Sequence, residues 1–206
     1  AVTDCLDATR PTAFVVENVP AFLRWELFPV WRESLRVLGY RLTMFRLNAA
    51  DYGVPQSRER LFIIGVKHQQ KLLPPPSQPV RPFGPCVEVD APGWRPLTAT
   101  TSNVRGRIER GRAAHGHAFL TQHVTNHPGV SLDEPIRTIT TKDQWALVRG
   151  DEYRPLTPRE LARGMGFSDA FDLPDVSRVD QVRGLGNAVP PPLGAAVLQV
   201  LSRSLG

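Results

Sequence analysis

The chain has 206 residues, a net charge of +5, a pI near 9.8 and a hydrophobic content of 41%. That is enough for one large domain or two small ones, and too apolar for a disordered polymer. No apolar run approaches the ~20 residues a membrane span needs, and the N-terminus lacks a charged-then-apolar signal pattern, so a cytoplasmic protein is expected.

Val2 to Ala8 reads as a helix with Val2, Cys5 and Leu6 on its apolar side. Ala13-Phe14-Val15-Val16 is a short apolar run ending at Glu17-Asn18, the pattern of a buried parallel strand. Pro29 suits the first turn of the next helix, where Trp31, Leu35 and Leu38 keep helical spacing and Gly39 supplies a stop. Arg41 to Leu47 alternates as a strand, with Leu42, Met44 and Arg46 on one face. Leu61 to Val66 reads as another buried strand. Strand, helix, strand, loop, strand suggests part of a sheet with helices packed on it.

From about His68 to Gly93 the chain is rich in proline and reads as a linker or an extended crossing between lobes. Two Thr-rich phrases follow, Pro96 to Thr101 and Pro135 to Thr141, as short β candidates with a Gly/Arg/His loop region between them. His115, His117, His123 and His127 cluster, but their spacing matches no zinc pattern, so surface loop histidines and no metal site are expected. Thr157-Pro158-Arg159-Glu160 is a helix start with a capping box, and Leu161, Ala162, Met165 and Phe167 form its apolar side. Val179 to Val182 is a second helical piece. Gly184 to Asn187 reads as a glycine-rich turn, and Pro191 or Pro192 opens a final helix with Leu193, Val197, Val200 and Leu201 at helical spacing.

Arginine supplies nearly all of the positive charge. Its planar fork suits phosphates and guanine edges, which is compatible with nucleic acid as partner, although a GC-rich genome produces the same bias. Arg105, Arg107, Arg110, Arg112, Gln122, Asn126, Arg137, Lys142 and Gln144 in the middle section are residue types that read base edges and phosphates, or a solvated basic loop.

Three phrases then stand in a particular order: Glu17-Asn18-Val19-Pro20, Gln56-Ser57-Arg58-Glu59-Arg60 after Tyr52-Gly53-Val54-Pro55, and Gly186-Asn187-Ala188-Val189-Pro190. Together they resemble the rear portion of the DNA cytosine-5 methyltransferase family, and Arg154 to Phe167 is similar to its ninth motif. The resemblance implies an α/β fold: a partial, Rossmann-like lobe dependent on S-adenosylmethionine, with a small, mostly β target-recognition lobe. The expected divisions are 1–70 for the rear of the catalytic lobe, 71–175 for the recognition lobe, and 176–206 for a helical return to the catalytic lobe.

The resemblance also implies roles. Glu17 would hold a flipped cytosine by N3 and the exocyclic amine, Arg60 would contact O2, and Arg58 would support the catalytic loop. Asn18 and Gln56 would lie on the substrate side. Asn187, Ala188 and Val189 would complete the wall of the S-adenosylmethionine pocket. Arg58 and Arg60, two apart, are expected on one strand face.

The chemistry also needs a thiolate to attack C6, placed by the family in a Pro-Cys loop before the Glu-Asn-Val phrase. Neither Cys5, on its expected helix, nor Cys86, in the proline-rich middle, fits that place, and the glycine-rich cofactor loop is missing from the front. The expected partners are therefore double-stranded DNA and a second chain carrying the front half, in a bacterial or phage-encoded restriction-modification setting. A truncated gene product is another explanation of the missing front, and the rival reading is a non-catalytic DNA-binding or regulatory subunit, or a degenerate methyltransferase fragment.

Overall fold

The computed structural model describes residues 2–67, 72–124 and 127–205, with Ala99 by its backbone alone. His68, Asn126 and the expected division at 70/71 lie outside the described residues. Two compact units are present. The first comprises Ala1–Asn48, Glu59–Ser77 and Leu193–Gly206, and the second Ala49–Arg58 and Gln78–Pro192.

In the first unit, α1 (Val2–Thr9), β1 (Ala13–Asn18), α2 (Phe28–Val37) and β2 (Arg41–Asn48) follow one another. The two-residue β3 (Gln56–Ser57) belongs to the second unit, and the chain returns with β4 (Glu59–Val66). Pro29 sits in the first turn of α2. Beyond the helix end, Gly39 has φ +91°, a left-handed conformation that glycine takes without a Cβ penalty.

The sheet order is β1-β4-β2, and β4 pairs antiparallel with both neighbours. The expected parallel neighbour for β1 is thus corrected: β4 lies between β1 and β2, and β1 is half-buried along its whole length. Side chains alternate across the sheet. One face, with Val16, Leu42, Met44, Leu61 and Ile63, packs on Phe22, Phe28 and Trp31. Phe14 extends it to Leu6 of α1 and Leu35 of α2. Cys5, expected on the apolar side of α1, is exposed, because Leu6 alone turns inward there. The opposite face carries Glu17, Phe45, Leu47, Arg60 and Phe62.

The second unit holds β5 (Arg95–Pro96), α3 (Ser102–His115), β6 (Ala118–Gln122), β7 (Ile136–Arg137), β8 (Trp145–Arg149), β9 (Glu152–Pro155), α4 (Pro158–Gly164) and α5 (Arg178–Asn187). α6 (Pro191–Leu205) opens on its prolines and continues among the residues of the first unit from Leu193. An antiparallel sheet runs β5-β9-β8-β6, while β3 pairs parallel with β7. Its core joins Leu120, Ile136, Trp145, Leu147, Leu161 and Met165.

Several local expectations change here. The Gly/Arg/His stretch is the fourteen-residue helix α3, not a loop. Gly106 and Gly111 disguise it, yet Gly111 is where the helix meets the sheet, since a Cβ there would overlap the Phe119 ring. Phe83 and Cys86, in the proline-rich segment, are core residues. His127 is buried edge-on against Trp145, and His115 ends α3, so neither is a surface loop histidine. Gly184 to Asn187 is the last turn of α5.

Candidate active site

Antiparallel pairing sets the end of β1 beside the start of β4, with Glu17 opposite Phe62 and Asn18 opposite Leu61. Because the side-chain period of a strand is two, Phe62 and Arg60 share the face of Glu17. Glu17 Oε1 and Arg60 Nε are 2.8 Å apart, with 25% and 14% of the two side chains exposed. Arg60 Nη1 also donates to the Glu59 carbonyl at 2.7 Å. Burial lowers the Arg60 pKa, and the Glu17 charge and hydrogen bond oppose that. Glu17 Oε2, an acceptor, and Arg60 Nη2, a donor, make no hydrogen bond among the described residues. Asn18 turns locally: its Oδ1 accepts from the Val19 amide at 2.8 Å.

Arg58 does not share that face. β4 begins at Glu59, and the Arg58 guanidinium belongs to the interior of the second unit. It donates to the carbonyls of Ile139 at 2.8 Å, Gly186 at 2.7 Å and Ala188 at 3.2 Å. Gly186 is required at this meeting, because a Cβ would overlap the Thr140 carbonyl and the Thr141 amide. Gln56, expected on the substrate side, is wholly enclosed instead. Its Nε2 donates to the Gly164 carbonyl and Met165 Sδ, and its Oε1 accepts from the Ile139 amide. Arg58 and Gln56 thus fasten the loop around Ile139 to α4 and α5.

Asn187 ends α5 with its side chain exposed, followed by half-buried Ala188 and Val189. An amide beside small apolar groups suits part of a nucleoside-bearing ligand. Cys86 is buried, and loss of solvent pushes its thiol up to about 11, so it is no thiolate at neutral pH. Among the described residues, no three His, Cys, Asp or Glu side chains gather as they would around a metal ion.

One pairing in the second unit was not legible from the motifs. Arg154 and Glu160 are both fully enclosed and 2.6 Å apart. Glu160 closes the capping box of α4 with Thr157 and also takes the Glu88 amide at 2.7 Å. The capping spacing pointed to Glu160, but nothing marked Arg154 as its partner.

Solved structures share this fold across nearly the whole chain. The Dnmt2 methyltransferase of S. pombe is 18% identical with a TM-score of 0.66, covering 98% of this chain and 70% of that one. A DNMT2 mutant from Spodoptera frugiperda is 15% identical with a TM-score of 0.67, again over 98% and 70%. The fold is the α/β fold of these solved methyltransferases. The model of the C-5 cytosine-specific DNA methylase family matches residues 1–84 and 93–203, and the chain belongs to that family. Its relatives include the type II methyltransferases M.AplI of Arthrospira platensis, 30% identical over 98% of this chain, and M.MthTI of Methanothermobacter thermautotrophicus, 28% identical over all of it. M.BspRI of Lysinibacillus sphaericus is 28% identical over 97% of this chain. The chain spans 53% of the length of M.BspRI, 60% of M.AplI and 70% of M.MthTI.

Proposed function

We propose that this chain forms the target-base pocket of an enzyme that methylates cytosine at C5 in double-stranded DNA, acting on a base flipped out of the duplex. The observation that carries the reading is the Glu17–Arg60 pair, a carboxylate and a guanidinium held 2.8 Å apart on one sheet face, each with an atom to spare. Cytosine C5 is a poor nucleophile until a thiolate adds at C6, and that addition pushes charge onto N3 and O2. Glu17 would accept from the exocyclic amine and share a proton with N3, while Arg60 would donate to O2. Both interactions strengthen as the charge develops, which is what accelerates the step.

Arg58 and Gln56 act at one remove, by fixing the loop around Ile139 and the end of α5. Asn187, Ala188 and Val189 offer an amide and an apolar wall to S-adenosylmethionine, the family's donor. When bound, that donor supplies the methyl group. The sulfur for C6 would come from a segment outside these residues, either a second chain or another stretch of the same polypeptide, since the Cys86 thiol is buried and Cys5 sits on α1, which packs on the sheet face opposite Glu17. Residues 1–70 are read as the rear of the catalytic lobe, 71–175 as the recognition lobe and 176–206 as the helical return to the catalytic lobe, in a cytoplasmic restriction-modification enzyme.

The test is methyl transfer to duplex DNA by this chain supplied with a front segment bearing the glycine-rich and Pro-Cys loops. Glu17→Gln and Arg60→Ala are expected to lower turnover by ~10²-fold or more, the scale of a lost transition-state donor. Duplex affinity should change little. Full turnover in both variants would remove the base-pocket assignment.

A further inference from the structure

α3 lies on the four-stranded sheet with Val104 and Ile108 packed against Phe119 and Val148. Arg107 precedes Ile108 and is drawn to the same side of the helix, so that only 9% of it is exposed. Its Nε and Nη2 are buried without a hydrogen-bond partner among the described residues. No carboxylate there is ion-paired with it. The charge acting on it, from Arg110, shares its sign, and Arg107 in turn helps keep the His123 and His127 imidazoles neutral by lowering their pKa values after burial has done so. Asp143, whose charge acts on His123, is already held by Arg178 at 2.7 Å. A guanidinium enclosed this way costs free energy unless something anionic meets it.

Arg107 lines an open pocket of ≈ 360 Å³ together with Ser102, Asn103, Gly106, Arg110 and His123. Ser102 and Asn103 form the first turn of α3, and Thr101 before them makes no side-chain cap. The first amides of a helix lack intrahelical partners and carry the positive end of its dipole. The pocket therefore joins unmet backbone donors, an arginine without an acidic partner, a second guanidinium and an imidazole. Its donors outnumber its acceptors, and no acid neutralises it.

We infer that this pocket binds a phosphate group, met by Arg107 Nη1, the nitrogen of that guanidinium not enclosed by protein, and by the first-turn amides of α3, and closed over by Arg110 and His123. The phosphate group is either inorganic or a phosphodiester of a nucleic-acid backbone, and the volume admits the flanking sugar of the latter. The site itself is independent of the base-pocket reading, and only its nucleic-acid source rests on DNA being the substrate.

Inorganic phosphate titrated into this chain, followed by backbone amide shifts and thermal melting, tests the site. The Ser102 and Asn103 amides should move, and the melting temperature should rise with phosphate concentration as for any ligand of the folded state. Arg107→Gln should raise the half-saturating concentration at least tenfold. Arg107→Leu, which removes the uncompensated charge, should melt no lower than wild type without phosphate and should lose the phosphate response. Unmoved amides, or equal responses in wild type and both variants, would overturn the site. The source is read from duplex binding against salt: Arg107→Gln should reduce the slope of log K on log[salt] by about one. A phosphate response with an unchanged slope would assign the pocket to free phosphate and overturn the backbone contact. Glu17→Gln should leave the phosphate response intact, so failure of the base pocket and failure of this site give different results.

Discussion

Replacing Glu160 by glutamine should be among the most damaging single changes to the stability of the second unit. Arg154 and Glu160 are wholly enclosed and joined by two bonds, at 2.6 and 2.8 Å. The carboxylate also accepts from the amides of Glu88 and Thr157, each at 2.7 Å. Glutamine keeps one acceptor, turns the other into a donor aimed at donors, and leaves the Arg154 charge buried alone. Breaking a buried pair from one side costs about 3–5 kcal/mol, against a usual domain stability of about 5–15 kcal/mol. Burial pushes the Glu160 carboxyl up, but the Arg154 bonds and the two amides outweigh it, and the net pKa is lowered. The unfolded chain therefore binds this proton more readily than the folded one. The contribution is fully present above the ordinary glutamate value of about 4.3, and it is lost as pH falls through the lower folded-state value. Urea unfolding should show the full deficit of Glu160→Gln at pH 7 and a narrowing gap to wild type below about pH 4. The double variant Arg154→Met/Glu160→Leu should lose less than the single one, because no charge is stranded. A loss under about 1 kcal/mol for Glu160→Gln, or a double variant worse than the single, would refute the argument.

Arg58→Lys should also destabilise, by about 3 kcal/mol, because one ammonium cannot span three carbonyls that a planar fork reaches, and each buried acceptor left unmet costs about 1–3 kcal/mol; a chemical unfolding curve within 1 kcal/mol of wild type would contradict this. Gly184 and Gly186 make an internal control within α5. Gly184 has open space around its Cβ position, so Gly184→Ala should gain up to about 1 kcal/mol of helix propensity. Gly186→Ala meets backbone that cannot give way, so overpacking of about 1–3 kcal/mol should exceed the same gain, and melting temperatures should move in opposite directions.

The first unit was the more legible because its signals are local. Pro29, the spacing of Trp31 and Leu35, the Gly39 stop and the apolar run from Leu61 each act over a few residues, and the elements stand where those signals put them. Strand direction did not follow, since an apolar run says nothing about which strand inserts between two others. The second unit hides its elements. α3 shows only Val104 and Ile108 on an otherwise polar helix, and its glycine at 111 reads as a breaker until the Phe119 ring is seen to need the space.

The Gln-Ser-Arg-Glu-Arg phrase shows how a motif conceals a division of labour. Its residues read as one unit of recognition, with the two arginines on one face. Folding separates them at a single peptide step: β4 starts at Glu59, so Arg60 takes the strand alternation that brings it to Glu17, while Arg58 falls before the strand and is consumed by three carbonyls. Only tertiary partners distinguish the two, because both are arginines in the same polar run. The same reasoning separates Arg107 from Arg105 and Arg110 on α3. All three are equal in sequence, but Arg107 alone of them is turned under the helix and left without a partner for its buried nitrogens. Charge counting put arginine near nucleic acid, and burial decides which arginine is waiting for an anion.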